Sequence, residues 1–102
     1  MSYMRIAVIH FQPETDAAAL LATVKPRLLD MLRQQTGFVS YAMVRTDAST
    51  VTAITMWETR EQAERGVQLA EKFNQEAAGS AIASVDASMG EVIIEEHTPV
   101  PA

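Results

Sequence analysis

The hydrophobic positions change period several times along the chain. Met4–Phe11 (MRIAVIHF) is dense in β-branched and aromatic residues and stops at Gln12-Pro13, where the proline ring removes a ladder donor, so it predicts a first strand. From Asp16 the spacing becomes helical, with Leu20, Leu21, Val24, Leu28, Met31 and Leu32 on one face and Lys25, Arg27, Asp30, Arg33 and Gln34 largely off it. Asp16 is a suitable N-cap, and Gly37 stands where a left-handed C′ residue belongs. Pro26 falls inside this pattern and predicts a kink or a break into two shorter helices.

Phe38–Thr46 and Thr50–Trp57 read as two strands joined by Asp47-Ala48-Ser49, a short polar hairpin connection. Thr59 followed by Gln62 forms a capping box, and a second helix is expected to about Ala78 with a thin apolar stripe of Ala63, Val67, Ala70, Phe73 and Ala77. Gly79 is placed to end it. Ala81–Ala87 fits no period clearly, and the last strand is expected at Gly90–Glu95, with a frayed tail from His97.

The resulting order, β-α-β-β-α-β, is that of a ferredoxin-like α+β protein: a four-stranded antiparallel sheet with both helices on one face. The strands do not alternate cleanly. In the first, Ile6 and Val8 compete with Ala7, Ile9 and Phe11. In the third, Ile54 and Met56 compete with Val51, Ala53 and Trp57. A solvated sheet face should show polar residues at every second position, so the face without helices needs a cover. The cheapest cover is the same face of a second copy, which predicts a homodimer closed into a dimeric α/β barrel.

Composition narrows the function. The 102 residues fit one domain spanning 1–102, with 96–102 as a flexible tail, and the absence of cysteine excludes a disulfide scaffold and thiolate zinc. Eight Lys+Arg against thirteen Asp+Glu give a net charge of -5, the wrong sign for tracking phosphates, so neither nucleic acid nor an anionic membrane is expected as a partner. The chain starts without a signal-peptide h-region and carries no run of ~20 apolar residues, which points to a cytoplasmic protein. There is no phosphate loop, nucleophile elbow or metal-ligand helix spacing, so no metal or bound cofactor is expected.

The segments Gln35-Thr-Gly-Phe-Val-Ser-Tyr41 and Trp57-Glu-Thr-Arg-Glu-Gln-Ala63 resemble the antibiotic biosynthesis monooxygenase family of dimeric α/β barrels. The shared features are a Gly closing the first helix, an aromatic-bearing second strand, and a third strand ending in Trp-Glu-Ser/Thr before a capped helix. The resemblance implies either a cofactor-independent monooxygenase of a small aromatic or quinone-like compound or a non-catalytic small-ligand-binding dimer. Haem-degrading relatives place a His on the second helix about ten residues past the Trp and an Asn on the first strand. Here Val67 stands at that offset and the first strand has no Asn, which argues against haem degradation.

Counting through the hairpin pairs Trp57 near Val39, Tyr41 with Thr55 and Met43 with Ala53, all on one face. If helices cover that face, as the resemblance implies, Trp57, Val39, Met43 and Thr55 would line an apolar substrate pocket, with the Tyr41 hydroxyl as its polar handle. Arg5, on the neighbouring strand, is placed to stabilise an enolate or phenolate oxygen, which makes Arg5 and Tyr41 the catalytic candidates. The bland alternative is that Trp57 and Tyr41 are core residues and Arg5 pairs with a partner's acid. His10 suits proton abstraction but lies at the far end of the sheet from Trp57, more than ~15 Å away at strand rise, which favours a surface or interface role. His97 beside Glu95 and Glu96 reads as solvated tail, and the six methionines as adaptable core filler.

Overall fold

The computed structural model describes residues 2–97. The elements follow in the expected order: β1 (Tyr3–Phe11), α1 (Ala17–Arg33), β2 (Phe38–Asp47), β3 (Thr50–Trp57), α2 (Arg60–Ala78), a 3-10 turn (Gly79–Ala81) and β4 (Ile82–Glu91). The four strands form one antiparallel sheet in the order β2-β3-β1-β4.

Strand parity assigns the faces. Arg5, Ala7, Ile9 and Phe11 of β1 are buried toward the helices together with Val51, Ala53, Thr55 and Trp57 of β3. The opposite parity, Met4, Ile6, Val8 and His10 with Thr52, Ile54 and Met56, forms the other face. Among the described residues no helix packs on it, and Ile6 and Val44 are 40% and 48% exposed there. A monomer would therefore leave an apolar sheet face in water.

Two clusters make up the core. At one end of the sheet Ile9, Phe11, Ala17, Val51 and Ala53 pack with Leu20 and Leu21; at the other Leu32, Trp57 and Ala63 pack with Leu28, Phe38 and Tyr41. The Arg27 guanidinium lies 5.6 Å from the centre of the Phe73 ring and bridges the two helices.

The helix ends form much as the sequence suggests. Asp16 accepts the Ala19 N–H at 3.1 Å, and Thr59 Oγ1 accepts the Gln62 N–H at 3.2 Å. The capping box closes on that side only, because the Gln62 side chain lies over Gly37. A Cβ at Gly37 would come within 1.8 Å of Gln62 Oε1, and the φ of +83° there already favours glycine. In the β2–β3 turn Asp47 accepts the Ser49 N–H at 2.9 Å; that bond and others to Ser49 and Thr50 hold its carboxyl below the ordinary range.

Four expectations are corrected. Pro26 does not split the first helix: one helix runs from Ala17 to Arg33, and the carbonyl that loses its bond, that of Ala22, is on an exposed turn open to water. That helix ends at Arg33 with Gln34 as its C-cap, so Gly37 belongs to the following turn and is not the residue just past the helix. The last strand is Ile82–Glu91, most of it in the segment that fitted no period, whereas Val92–His97 has no regular structure. The pairing with β1 decides this: Ile82 sits opposite Phe11 and Glu91 opposite Tyr3, so β4 ends where β1 begins. Finally, Trp57 is opposite Phe38 and not Val39, because a bulge between Phe38 and Ser40 shifts the hairpin register. Of the expected tail, residues 98–102 lie outside the described ones.

Candidate functional site

Three rows of residues cross the helix-covered face of the sheet. The first is Phe38, Trp57 and Tyr3; the second Tyr41, Thr55 and Arg5; the third Met43, Ala53 and Ala7. The alanines keep the sheet surface low, while α2 presents Gly66, Ala70 and Ala77 opposite it. Between them lies a cavity of about 50 Å³, lined also by Leu28 and Leu32 of α1 and Phe73 of α2. Of the small residues that the sequence places on α2, Ala70 and Ala77 line this space, whereas Ala63 does not and packs against Leu32 and Trp57.

Trp57 is its wall. The indole is 1% exposed, meets Phe38 edge-on at 5.6 Å between ring centres, and comes so close to α2 that a Cβ at Gly66 would lie 2.2 Å from Cζ2. Its Nε1–H is buried with no hydrogen-bond partner among the described residues.

Arg5 is the unusual group. It is 6% exposed, its Nε–H is buried and unpartnered, and it takes part in none of the ion pairs among the described residues. Burial lowers its pKa; the negative charges of Glu71 and of an ionised Tyr41 act against that. Tyr41, two strands away on the same row, is mostly buried, and burial pushes its pKa up to about 12 even though Arg5 pulls it back. At neutral pH the row therefore holds a guanidinium and a neutral phenol, two donors facing an apolar space. The cavity lining contains no Asp, Glu or His, so it has no strong proton acceptor of its own.

Of the residues singled out from the sequence, Arg5, Tyr41, Met43, Thr55 and Trp57 all line this one cavity. Val39 does not: on the bulged stretch of β2 it is 48% exposed and absent from the lining. His10 is at the other end of β1, opposite Thr50, with Nε2 3.6 Å from Asp86 and Nδ1 3.4 Å from Thr50 Oγ1. His97 Nε2 bonds to Glu95, and no cluster of three or more metal-ligating side chains occurs among the described residues. Asn74 and Gly66 of α2 complete the site and were not read from the sequence. Gly66 carried a usable signal, a glycine in the middle of a helix where it costs about 1 kcal/mol against alanine.

Two grooves adjoin the cavity. Leu21, Val24, Leu28, Tyr41 and Met43 are shared with a groove of about 420 Å³ between α1 and the β2 edge. Arg5, Asn74 and Ile82 are shared with a more polar groove between α2 and β4.

A comparison with curated proteins returned no match. Among solved structures, the chain is similar to Rv0793 of Mycobacterium tuberculosis (TM-score 0.73, 17% identity, 95% of this chain and 100% of that one). It is similar to SnoaB of Streptomyces nogalater, described as a cofactor-independent oxygenase (TM-score 0.70, 15% identity, 97% and 98%). It is also similar to a dimeric ferredoxin-like protein from an uncultured marine organism (TM-score 0.73, 12% identity, 96% and 93%). At these identities the likeness establishes the fold. The family follows from a separate match, because residues 3–77 fit the family model described as antibiotic biosynthesis monooxygenase. Those residues span β1 through nearly all of α2 and include every cavity-lining side chain proposed for chemistry, so the chain belongs to the antibiotic biosynthesis monooxygenase family.

Proposed function

We propose that the protein is a cofactor-independent monooxygenase that oxidises a small aromatic or quinol-type compound with molecular oxygen, working as a homodimer joined through the open sheet face. The observation that carries the reading is the row Tyr41-Thr55-Arg5 beneath Trp57: an apolar space holding one unpaired guanidinium and one neutral phenol. Trp57 and Met43 place the ring, with Thr55 beside them. Tyr41 donates a hydrogen bond to a ring oxygen, and Arg5 stabilises that oxygen as it gains negative charge.

The chemistry needs an electron-rich substrate anion, because oxygen accepts electrons one at a time. The anion passes one electron to O2, the resulting radical and superoxide join as a C–O bond, and the peroxide loses water to leave a carbonyl. For anthrone the balance is one O2 consumed, one anthraquinone and one water formed. Having no base in its lining, the cavity leaves the ionisation to solvent, and Arg5 holds the substrate as its anion. That SnoaB is described as a cofactor-independent oxygenase supports this reading for a chain of the same fold. The dimeric ferredoxin-like neighbour and the exposed Ile6 and Val44 support the dimer.

The test is oxygen uptake with anthrone in the presence of a metal chelator. The reading requires one O2 per anthraquinone and a rate that collapses in Arg5→Met. The second reading, a non-catalytic binding protein, draws support from the small inner volume of about 50 Å³. Saturable anthrone binding without oxygen uptake above the uncatalysed rate would select it.

A further inference from the structure

The ionisable side chains around the cavity are unevenly distributed. The protein has thirteen acidic and eight basic residues, yet the cavity and the α1–β2 groove together are lined by Arg5, Lys25 and Arg45 and by no Asp or Glu. Arg45 shares the strand face of Val51, which it opposes in the ladder, so it stands on the helix side of the sheet. Lys25 reaches the same groove from α1. The other groove differs, since Glu71 there offsets Lys72. Inside, Arg5 Nε–H and Trp57 Nε1–H are buried donors without acceptors among the described residues, and Arg5 is more than nine-tenths buried. Burying an unpaired charge is costly, and native structures rarely keep one without a use.

We propose that the ligand is taken up already ionised, as a planar aromatic compound bearing an anionic ring oxygen or carboxylate, that it passes through the α1–β2 groove past Lys25 and Arg45, and that its charge comes to rest on Arg5. This rests on the reading of the cavity as an aromatic-ligand site and adds the charge and the route. The exposed pair acts on encounter: cations at the rim raise the association rate of an anion and make it depend on ionic strength. Arg5 acts on affinity, because a charge-assisted bond in a dry site is stronger than a neutral one. The apolar remainder of the groove, Leu21, Leu28 and Met43, receives the ring.

The experiment compares matched probes by calorimetry on the wild-type protein: naphthoate against its methyl ester for a carboxylate, and hydroxynaphthoquinone, ionised at neutral pH, against its methyl ether for an enolate. At least one anion is expected to bind about tenfold or more tightly than its neutral counterpart, and which pair shows it tells carboxylate from enolate. Arg5→Met should abolish that preference and Arg5→Lys should keep part of it. The surface double variant Lys25→Gln/Arg45→Gln leaves the core untouched. It should slow association of the anion several-fold and flatten its salt dependence. Neutral probes binding as well as the anions would overturn the inference and leave the aromatic site standing; binding of neither, in folded protein, would overturn both. A preference that survives Arg5→Met would take the charge away from Arg5, and an unchanged salt dependence in the double variant would remove the groove as the route.

Discussion

Gly66 offers a test in which two ordinary expectations point in opposite directions. Replacing a glycine inside a helix by alanine normally stabilises a protein by about 1 kcal/mol through helix propensity. At Gly66 the new Cβ would lie 2.2, 2.7 and 2.8 Å from three atoms of the Trp57 ring. To bring the shortest contact to 3.4 Å, α2 or the indole must retreat by 3.4 − 2.2, about 1.2 Å. Trp57 is pinned between Phe38 and the Leu32–Ala63 cluster, so it has little freedom to yield. Overpacking of this kind costs about 1–3 kcal/mol, and three sub-contact distances to one rigid ring place it at the upper end. Subtracting the propensity gain leaves a net loss of about 2 kcal/mol. For a domain of this length that is a fall of roughly 10 °C in Tm. The assay is a thermal melt of wild type and Gly66→Ala at equal protein concentration, followed by Trp57 fluorescence. Gly79→Ala serves as control: nothing lies within 4 Å of a Cβ there and its φ is -52°, so it should be neutral or slightly stabilising. A Gly66→Ala protein as stable as wild type, with unchanged emission, would refute the close approach of α2 to Trp57.

The remaining predictions concern the site and the open face. Trp57→Ala removes a fully buried ring and should cost about 3–5 kcal/mol in a denaturant titration. Arg5→Met should leave stability unchanged or raise it while abolishing oxygen uptake, because the guanidinium is buried without an ion pair; a large loss of stability would mean that it is paired. Tyr41 titrates at an ordinary 10.0 when unfolded and at about 12 when folded, so its contribution is complete below pH 10 and is lost as pH rises from 10 through 12. The loss is about 2 kcal/mol after allowance for partial solvent access. Phenolate absorbance, with Tyr41→Phe as reference, should show the late-titrating group. Ile6→Glu places a charge on the open sheet face and should convert a dimer to a monomer in light scattering; an unchanged mass would move the interface elsewhere.

The fold was legible because most elements carry local signals that agree with tertiary need. Asp16, Thr59 and the Asp47–Ser49 turn each mark a boundary by side-chain hydrogen bonding, and those bonds form. The last strand was not legible, because Ala83, Ser84, Asp86 and Ser88 have no strong strand preference; β1 imposes the strand by offering its free edge. Val92–Ile94 looks more strand-like than any of them, yet it lies past the start of β1, and Ile93 and Ile94 are 84% exposed. The site was half legible. Pairing Tyr41 with Thr55 and Met43 with Ala53 needed only counting from the turn. The bulge that removes Val39 is a local irregularity without a sequence mark, since neither Gly nor Pro stands there. That Arg5 is buried and unpaired could not be read from the chain, because it depends on Glu71 of α2 staying out of ion-pair range.

The claim on which the account rests is that the space between Trp57, Tyr41 and Arg5 receives an aromatic ligand. Trp57 is the only tryptophan, so its fluorescence reports on that space alone. The most direct measurement is a titration of this fluorescence with anthrone in wild type and in Ala70→Leu, which fills the cavity from α2 and keeps every polar side chain of the lining. Saturable quenching is expected in wild type, and its loss in a folded Ala70→Leu protein. A flat response in wild type, or equal quenching in both, would contradict it and leave the cavity as a packing defect of the core.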